Sequence, residues 1–371
     1  MSRLPEELMM TILLRLPIKT LGQLKCVSKS WRSLISDPFF VESHLNLTIS
    51  DPNTSNHPKL LMMYPYNYFM MYPFYSLDYE SPSSFEDIED EEAIVDLGFP
   101  SREPDDDVTI VGSCNGLICL LYFPDSFILW NPTIKESKEL PTPLLLPSST
   151  NYLCFTGFGY DTSIDDYKVV TRAPVTNTNL NQSRLEVFSL KANCWRRIED
   201  HEDSIVTDPA DAGSCSNGAL HWVGSRRAGP DKKRVIVSLD LGTEKFKEIP
   251  IPDFDNKKEI TVSVNNGCLS LVLSNEVGSG EIEIWVMKEY GVSASWTKLI
   301  VLPRDNFEFC GYFHPVPVCF TCNGDIVINT HVSVVRYNPN EKTVRKLKNP
   351  TGKCNNVMIS YVESMISPNV Y

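Results

Sequence analysis

One short motif recurs along most of the chain and constrains its fold more than any other feature. An Asn-Gly pair is followed directly by an apolar run, and such a pair favours a tight turn that leads into a strand. The copies lie at 115–120, 217–222, 266–271 and 323–328. This spacing predicts a series of β hairpins along the chain.

A second element alternates with the first. It reads as a strand, a polar turn and a further strand that ends in an apolar residue, often with a proline. Its copies lie at 128–141, 186–198, 236–250, 283–299 and 334–347. The two elements alternate roughly every 40 to 60 residues, the length of a four-stranded module in a repeat protein.

The repeat predicts a mainly β fold, with a β-propeller-like domain of about six blades in the roughly 320 residues beyond the N-terminal fifty. A stacked β sandwich is the alternative fold. Sandwich domains rarely repeat one motif five times, so the propeller is favoured.

The first fifty residues have a helical pattern instead. Apolar side chains recur every four residues, which places them on one helix face, and Pro17 is expected to end this helix. They are Leu4, Leu8, Ile12 and Leu16.

Two more short helices are predicted after Pro17. Ser28 is a candidate N-cap of the third helix, and Asp37-Pro38 is expected to end it. The apolar positions of the second and third helices are Leu21, Leu24, Val27, Trp31, Leu34 and Ile35. A three-helix piece of this size buries little surface alone, which predicts that it needs a partner.

These N-terminal residues resemble a plant F-box. The segments that carry the resemblance are LPEEL at 4–8, ILLRLP at 12–17, Lys19 and CVSKSWRSLI at 26–35. One departure is Gly22-Gln23, where many relatives carry Leu-Arg. Because glycine inside a helix costs about 1 kcal/mol relative to alanine, this predicts that the module binds its partner with modestly weakened affinity, not that binding is lost.

The remainder of the chain resembles the plant F-box-associated domain. The matching segments are 112–117, 129–133, 158–161, 165–170, 187–190 with Trp195, and 284–290 with Ser295-Trp296. The nearest subgroup includes immune-regulating and pollen S-locus F-box proteins. We therefore expect an F-box at 1–47 and a substrate-binding β domain at 48–371.

The resemblance implies a non-catalytic substrate receptor of a Skp-cullin-F-box ubiquitin ligase. The F-box would bind a Skp-family adaptor, through it the cullin and RING subunits, and the β domain would capture a protein for ubiquitylation and proteasomal degradation. The implied adaptor-binding residues are Leu4, Pro5, Leu8, Ile12, Leu16, Pro17, Leu21, Cys26, Val27, Trp31 and Leu34. Two alternatives remain open, a Skp-binding scaffold that does not promote degradation and a propeller enzyme.

The target-binding loops are expected between the second and third strands of each blade. One such loop is basic and would attract an acidic partner, although a solvated surface turn is the simpler interpretation. Its charged residues are Arg226, Arg227, Lys232, Lys233 and Arg234.

No motif predicts a catalytic site, a metal or a cofactor. Cys319 and Cys322 have the spacing of half a zinc site, but a closed zinc site needs four ligands, so buried strand thiols are expected. The uncharged stretch at 60–77 contains two prolines and five tyrosines, which favours strands over a membrane span. With no secretory signal, the chain is expected in the cytoplasm, the nucleus or both.

The net charge of −13 is concentrated in one place. Residues 86–107 carry eleven carboxylates and one base, so the other 349 residues have a net charge of only −3. We expect no nucleic acid partner. The acidic run predicts a disordered insertion at 80–108, early in the β domain.

Overall fold

The computed structural model describes residues 6–50, 57–63, 74–81, 84, 94–100, 108–123, 125–144, 155–174, 183–198, 205–207, 211–226, 234–252, 254, 258–265, 267–275, 280–303, 307, 316–330, 332–347 and 357–370. Within them the chain is mainly β with a helical N-terminal region, as the sequence predicts.

The N-terminal region contains four helices, so the prediction of three is wrong. They are α1 (Glu6–Leu13), α2 (Ile18–Leu24), α3 (Lys29–Ile35) and α4 (Pro38–Ser50). Asp37 caps the start of α4, because its Oδ1 accepts hydrogen bonds from the backbone N–H groups of Phe39 and Phe40 at 3.0 and 3.3 Å. Pro38 fits the first turn, where no N–H is needed.

Two other helix boundaries test the sequence pattern. The predicted N-cap Ser28 is confirmed, since its Oγ accepts a 3.1 Å hydrogen bond from the Trp31 N–H. Helix α1 ends at Leu13, before Pro17, which instead directly precedes α2.

The first described strands are β1 (Lys59–Met63), β2 (Phe74–Leu77), β3 (Ile94–Gly98), β4 (Val108–Cys114), β5 (Leu117–Tyr122), β6 (Ser126–Asn131), β7 (Glu136–Glu139), β8 (Phe155–Asp161), β9 (Asp166–Pro174), β10 (Ser183–Ser189), β11 (Cys194–Ile198) and β12 (Ile205–Thr207). The others are β13 (Asp211–Ser216), β14 (Ala219–Arg226), β15 (Arg234–Asp240), β16 (Phe246–Ile249), β17 (Lys258–Asn265), β18 (Cys268–Asn275), β19 (Glu281–Met287), β20 (Trp296–Pro303), β21 (Val316–Phe320), β22 (Ile326–Asn329), β23 (Val334–Asn338), β24 (Thr343–Lys346) and β25 (Val357–Tyr361).

The described strands form four separate four-stranded antiparallel sheets and one nine-stranded sheet. The four-stranded sheets are β4 to β7, β17 to β20, β21 to β24, and β25 with β1 to β3. The first strands of neighbouring sheets contact one another, β25 with β4, β4 with β8, β13 with β17, β17 with β21 and β21 with β25. This arrangement of small sheets around their first strands is a β propeller, closed by the C-terminal strand β25.

The nine-stranded sheet contains two antiparallel runs of four strands, β8 to β11 and β13 to β16, joined by parallel pairing of β8 with β13. Gly157 pairs with Gly213 in this register, and side chains of β14 pack closely over both glycines. A Cβ at Gly213 would lie 2.5 Å from Cε2 of the buried Trp222 ring.

Both predicted sequence repeats have clear structural roles. The Asn-Gly pairs join the first and second strands of a sheet, and Asn115 and Gly116 have positive φ values of 53° and 84°, as this tight turn requires. In the second repeat, a tryptophan in the fourth strand of a sheet donates a hydrogen bond to the carbonyl of a proline. This proline directly follows the previous sheet. Trp195 Nε1 donates to the Pro141 carbonyl at 2.5 Å, and Trp296 Nε1 donates to the Pro250 carbonyl at 2.7 Å.

The predicted insertion at 80–108 is wrong for part of its length. Ile94–Gly98 forms β3, which pairs with β2 from Leu77 opposite Ile94 to Phe74 opposite Gly98. Cross-strand pairing outweighs the local acidic composition there. Residues 85–93 and 101–107, which carry most of the acidic side chains, lie outside the described residues.

The sheets share a common orientation that defines two ends of the propeller. In each sheet, the turn between the first and second strands and the turn between the third and fourth strands lie at the same end. We call this end of the propeller the near end and the opposite end the far end. Contacts between turns of neighbouring sheets hold the near end together, for example a 2.8 Å hydrogen bond from Ser216 Oγ to the Gly267 carbonyl.

Candidate functional site

The helical module, residues 6–50, has several exposed apolar side chains and one buried face. Leu8 and Ile12, one helical turn apart in α1, are each 52% exposed, and Val27 is 65% exposed. Cys26 is exposed as well. Leu8 and Ile12 form an exposed apolar pair on α1, which favours a protein partner, so these two residues and the exposed Cys26 and Val27 are the candidate adaptor-binding residues.

Other residues predicted to bind the adaptor face inward. Leu16, Trp31 and Leu34 are partly buried and pack against the module core, and Leu21 is completely buried within it. Leu21 therefore stabilises the module instead of contributing surface. Pro17 is half-buried, and Leu4 and Pro5 lie outside the described residues.

Helix α4 adds exposed apolar residues that the sequence pattern missed. Phe39 is 68% exposed, and Leu47, eight residues later on the same helix face, is also exposed. The available signal was the Asp37-Pro38 pair, which is as typical of a helix start as of a helix end.

A buried histidine holds α4 against the first two helices. The carbonyl of Leu16 can only accept, so Nε2 of His44 donates to it at 2.9 Å. Burial lowers the pKa of His44, which keeps the ring neutral at neutral pH.

The buried face of the helical module packs on the β domain. Met365 is almost completely buried among Leu13, Ile18, Leu21, Ile35 and Phe40, and Ile134 packs against the same cluster. Ile134 belongs to the turn between β6 and β7, which is at the near end. The helical module therefore contacts the near end of the propeller, and the far end faces away from this contact.

The predicted target-binding residues lie at the far end, where the structure describes them. Arg226 ends β14 and forms an ion pair with Glu248, and Arg234 begins β15 and lies 3.7 Å from Glu259 of the next sheet. Both arginines thus have carboxylate partners within the chain, which reduces the positive charge offered to a partner. Arg227, Lys232 and Lys233 lie outside the described residues.

The buried polar groups of the β domain join neighbouring strands and sheets. Lys168 Nζ donates to Asp161 Oδ2 at 2.8 Å, to the Leu241 carbonyl at 2.6 Å and to Glu244 Oε1 at 2.9 Å. These contacts tie β9 to the turn between β15 and β16. The segments 158–161 and 165–170, which contribute to the resemblance described above, therefore contain residues that hold the two four-stranded runs of the nine-stranded sheet together.

His221 is a second buried connection. Its Nδ1 donates to the Ser214 carbonyl at 3.0 Å, so Nε2 accepts the 2.7 Å hydrogen bond from the Tyr290 hydroxyl of the neighbouring sheet. Burial lowers the pKa of His221 to about 4. A ring held neutral between two fixed partners is a packing element.

Cys319 and Cys322 occupy different environments. Cys319 is buried in β21, as expected for a strand thiol, whereas Cys322 lies exposed in the following turn, where its N–H donates to Glu80 Oε1 at 2.8 Å. Across the residues that the structure describes, no group of three or more His, Cys, Asp or Glu side chains could hold a metal ion. No helix in the same part of the chain is long and apolar enough to cross a membrane.

Comparison with known proteins gives two family matches that together cover most of the chain. The F-box domain matches residues 1–42, and the F-box associated beta propeller domain matches residues 71–366. The second match contains most of the described strands, and the first contains the exposed face of α1.

Individual relatives agree with the family matches. The chain is 31% identical over 373 residues to an F-box/kelch-repeat protein of Arabidopsis thaliana, which covers 99% of this chain and 96% of that protein. It is 32% identical over 326 residues to the F-box protein CPR1 of Arabidopsis thaliana, covering 82% of this chain and 74% of that protein. Among solved structures, an oligogalacturonate lyase in complex with manganese has a TM-score of 0.43 at 10% identity over 74% of this chain and 69% of that one, a likeness too weak to carry an argument.

Proposed function

Because the chain belongs to the family of F-box proteins that carry an F-box associated beta propeller domain, we propose that it is the substrate-recognition subunit of a Skp-cullin-F-box ubiquitin ligase. The helical module binds a Skp-family adaptor, and the propeller captures a protein target that is then ubiquitylated and degraded. The chain contributes recognition, and the transfer of ubiquitin is carried out by the assembled ligase.

One observation carries this proposal. The helical module leaves Leu8, Ile12 and Val27 exposed, while its buried cluster packs against Met365 and Ile134. Apolar side chains that the described part of the chain leaves uncovered favour a protein partner.

The adaptor contact is tested by a binding experiment with the full chain and a recombinant plant Skp adaptor. We expect the double variant Leu8→Asp, Ile12→Asp to lose the adaptor, since two charges cannot be buried unpaired in an apolar interface. Ile164→Asp is the matched control, because Ile164 is 56% exposed but lies in a near-end turn of the propeller. Unchanged binding by the double variant would refute the proposed surface.

We place target capture at the far end of the propeller, in the region of Arg226 and Arg234. The support is that the near end contacts the helical module, and a target at the far end leaves that contact undisturbed. The propeller has six blades in this proposal, with the two runs of the nine-stranded sheet counted as two blades. The sequence of contacts between first strands supports this count.

The target is sought with the full-length double variant, which should hold its target without delivering it to the ligase. Proteins that co-purify with this variant are compared with those bound by a further variant with Arg226→Glu. Reconstituted ubiquitylation then separates a degradative receptor from a scaffold, because a scaffold would bind the adaptor and the target without ubiquitin transfer.

A further inference from the structure

The C-terminal segment, residues 362–370, contacts both parts of the molecule. It follows β25, the strand that closes the propeller, and it runs past the Asn115-Gly116 turn. Its Met365 side chain is 7% exposed and completes the apolar core of the helical module. The last strand of the propeller and a core residue of the helices are thus only four residues apart.

A buried amide anchors this segment to the propeller. Asn131 at the end of β6 is fully buried, and its Nδ2 donates to the carbonyls of Ser364 at 3.0 Å and Ile366 at 2.8 Å. Its Oδ1 accepts a 2.9 Å hydrogen bond from the Thr133 N–H, which fixes the direction of the amide. The amide nitrogen therefore holds the backbone on both sides of Met365, and the amide oxygen fixes the orientation of the Asn131 side chain.

Close packing also restricts the segment at the Asn115-Gly116 turn. A Cβ at Gly116 would lie 2.1 Å from Ser364 Oγ, and the φ of this glycine is +84°. Charged contacts flank the anchor, with Lys59 Nζ 2.8 Å from Glu363 Oε1 and a Ser367 hydroxyl that donates to Glu136. The segment has one defined path across the near end.

We propose that the C-terminal segment is a positioning device that holds the helical module in one orientation on the propeller, with Met365 and Asn131 as its positioning residues. Domains joined by the chain alone move relative to each other unless an interface fixes them. This inference rests on the proposed function. In a ligase complex, a fixed orientation of the helical module determines which lysines of the propeller come within reach of the ubiquitin donor carried by the adaptor and cullin. The effective concentration of those lysines falls when the orientation is released.

The test compares three variants of the full chain. Met365→Lys places a charge in the core of the helical module and should release it, whereas Met365→Leu keeps an apolar side chain of similar volume and should rescue the wild-type behaviour. Val370→Lys changes a residue of the same segment that is 71% exposed, and serves as the control for added charge.

The first readout needs no ligase. Small-angle X-ray scattering of the full chain should give a broader distance distribution for Met365→Lys than for the other three proteins, while circular dichroism shows that helices and sheets are retained. If Met365→Lys loses helical signal, Asn131→Ala replaces it, because that change loosens the segment outside the helical core. Equal scattering from the released variants and the wild type would overturn the proposal.

The second readout is the set of propeller lysines modified in a reconstituted ligase, mapped by mass spectrometry of the chain itself. We expect the wild type, Met365→Leu and Val370→Lys to share a small set, and the released variant to modify that set about tenfold more slowly and to spread to other lysines. Adaptor affinity is measured beside it. Failure of the wild type to bind the adaptor would refute the proposed function alone, and an identical lysine map in the released variant would refute the positioning role alone.

Discussion

The side-chain amide of Asn131 donates hydrogen bonds to the Ser364 carbonyl at 3.0 Å and to the Ser364 hydroxyl oxygen at 3.2 Å, and both residues are buried. This pair joins the end of β6 to the C-terminal segment across 233 residues of sequence. The Trp130-Asn131-Pro132-Thr133 sequence, which contributed to the family resemblance, therefore has a physical role in joining the propeller to the helices.

Replacing Asn131 tests this anchor. Asn131→Ala leaves the carbonyls of the buried Ser364 and the half-buried Ile366 without their donor, so we expect a loss of about 1–3 kcal/mol in the free energy of unfolding. Asn131→Asp should cost more, because a carboxylate would face those carbonyl oxygens. Denaturant unfolding measures both changes, and an aspartate variant as stable as the wild type would contradict the assigned amide orientation.

The buried Lys168 is expected to be the most sensitive charged residue of the propeller. Burial alone would raise the pKa of Asp161, but hydrogen bonds from Lys168 and Ser163 hold it below its usual value. Lys168→Met leaves Asp161 buried without its cation and should destabilise the chain by about 3–5 kcal/mol.

The control for that prediction is Lys191→Met. Lys191 pairs with Asp165 at 2.8 Å, but both side chains are largely exposed, so the expected change is below about 1 kcal/mol. Thermal unfolding of the two variants compares the pairs directly. Equal effects would show that burial does not determine the strength of the Lys168 contacts.

Gly213 is predicted to be important for stability because the Trp222 ring packs directly on it. Gly213→Ala would drive a methyl group against the rigid, buried Trp222 ring, so we expect a loss of about 1–3 kcal/mol. Gly242→Ala is the control, since its Cβ would meet no atom closer than the Ser163 Oγ at 3.4 Å. Comparable stability of the two variants would contradict the close packing of the Trp222 ring on Gly213.

Local signals explain why much of the propeller is predictable from the sequence. The Asn115-Gly116 pair determines its turn by its own backbone preferences, and Ser28 caps a helix through a hydrogen bond three residues away. Such features depend on neighbours in the chain. They identify hairpins and helix starts without knowledge of the tertiary structure.

Long-range contacts explain what the sequence does not reveal. Ile94–Gly98 is a strand because it pairs with β2, although the surrounding composition is acidic. Met365 lies in a segment with no helix or strand, and only the three-dimensional packing places it beside Leu21 and Phe40. The exposed face of α1 was predictable, whereas the surface that covers its opposite face was not.

The propeller should lose stability in acid through His221. Its folded pKa of about 4 lies below the unfolded value of about 6.5, so the neutral ring stabilises the fold above pH 6.5 and this contribution is lost as the pH falls towards 4. From these two values we expect a loss of about 2 kcal/mol between pH 7 and pH 5. His221→Gln should be less stable than the wild type at pH 7 and show a smaller dependence on pH. Urea unfolding at pH 7 and pH 5 measures the free energy of unfolding of both proteins. An equal change between the two pH values for the wild type and for His221→Gln would contradict the prediction.

Gly22 offers a substitution that should stabilise the helical module. It lies inside α2, no atom lies within 4 Å of an added Cβ, and alanine is the better helix former by about 1 kcal/mol. We therefore expect Gly22→Ala to slow amide hydrogen exchange in α2 and α3 by up to about fivefold, the factor that corresponds to about 1 kcal/mol. Gly218→Ala is the matched control, because its Cβ also meets no atom but its φ of +69° strains any residue with a side chain, so that variant should be less stable. Slower exchange in both variants, or in neither, would show that helix propensity does not limit the stability of this module.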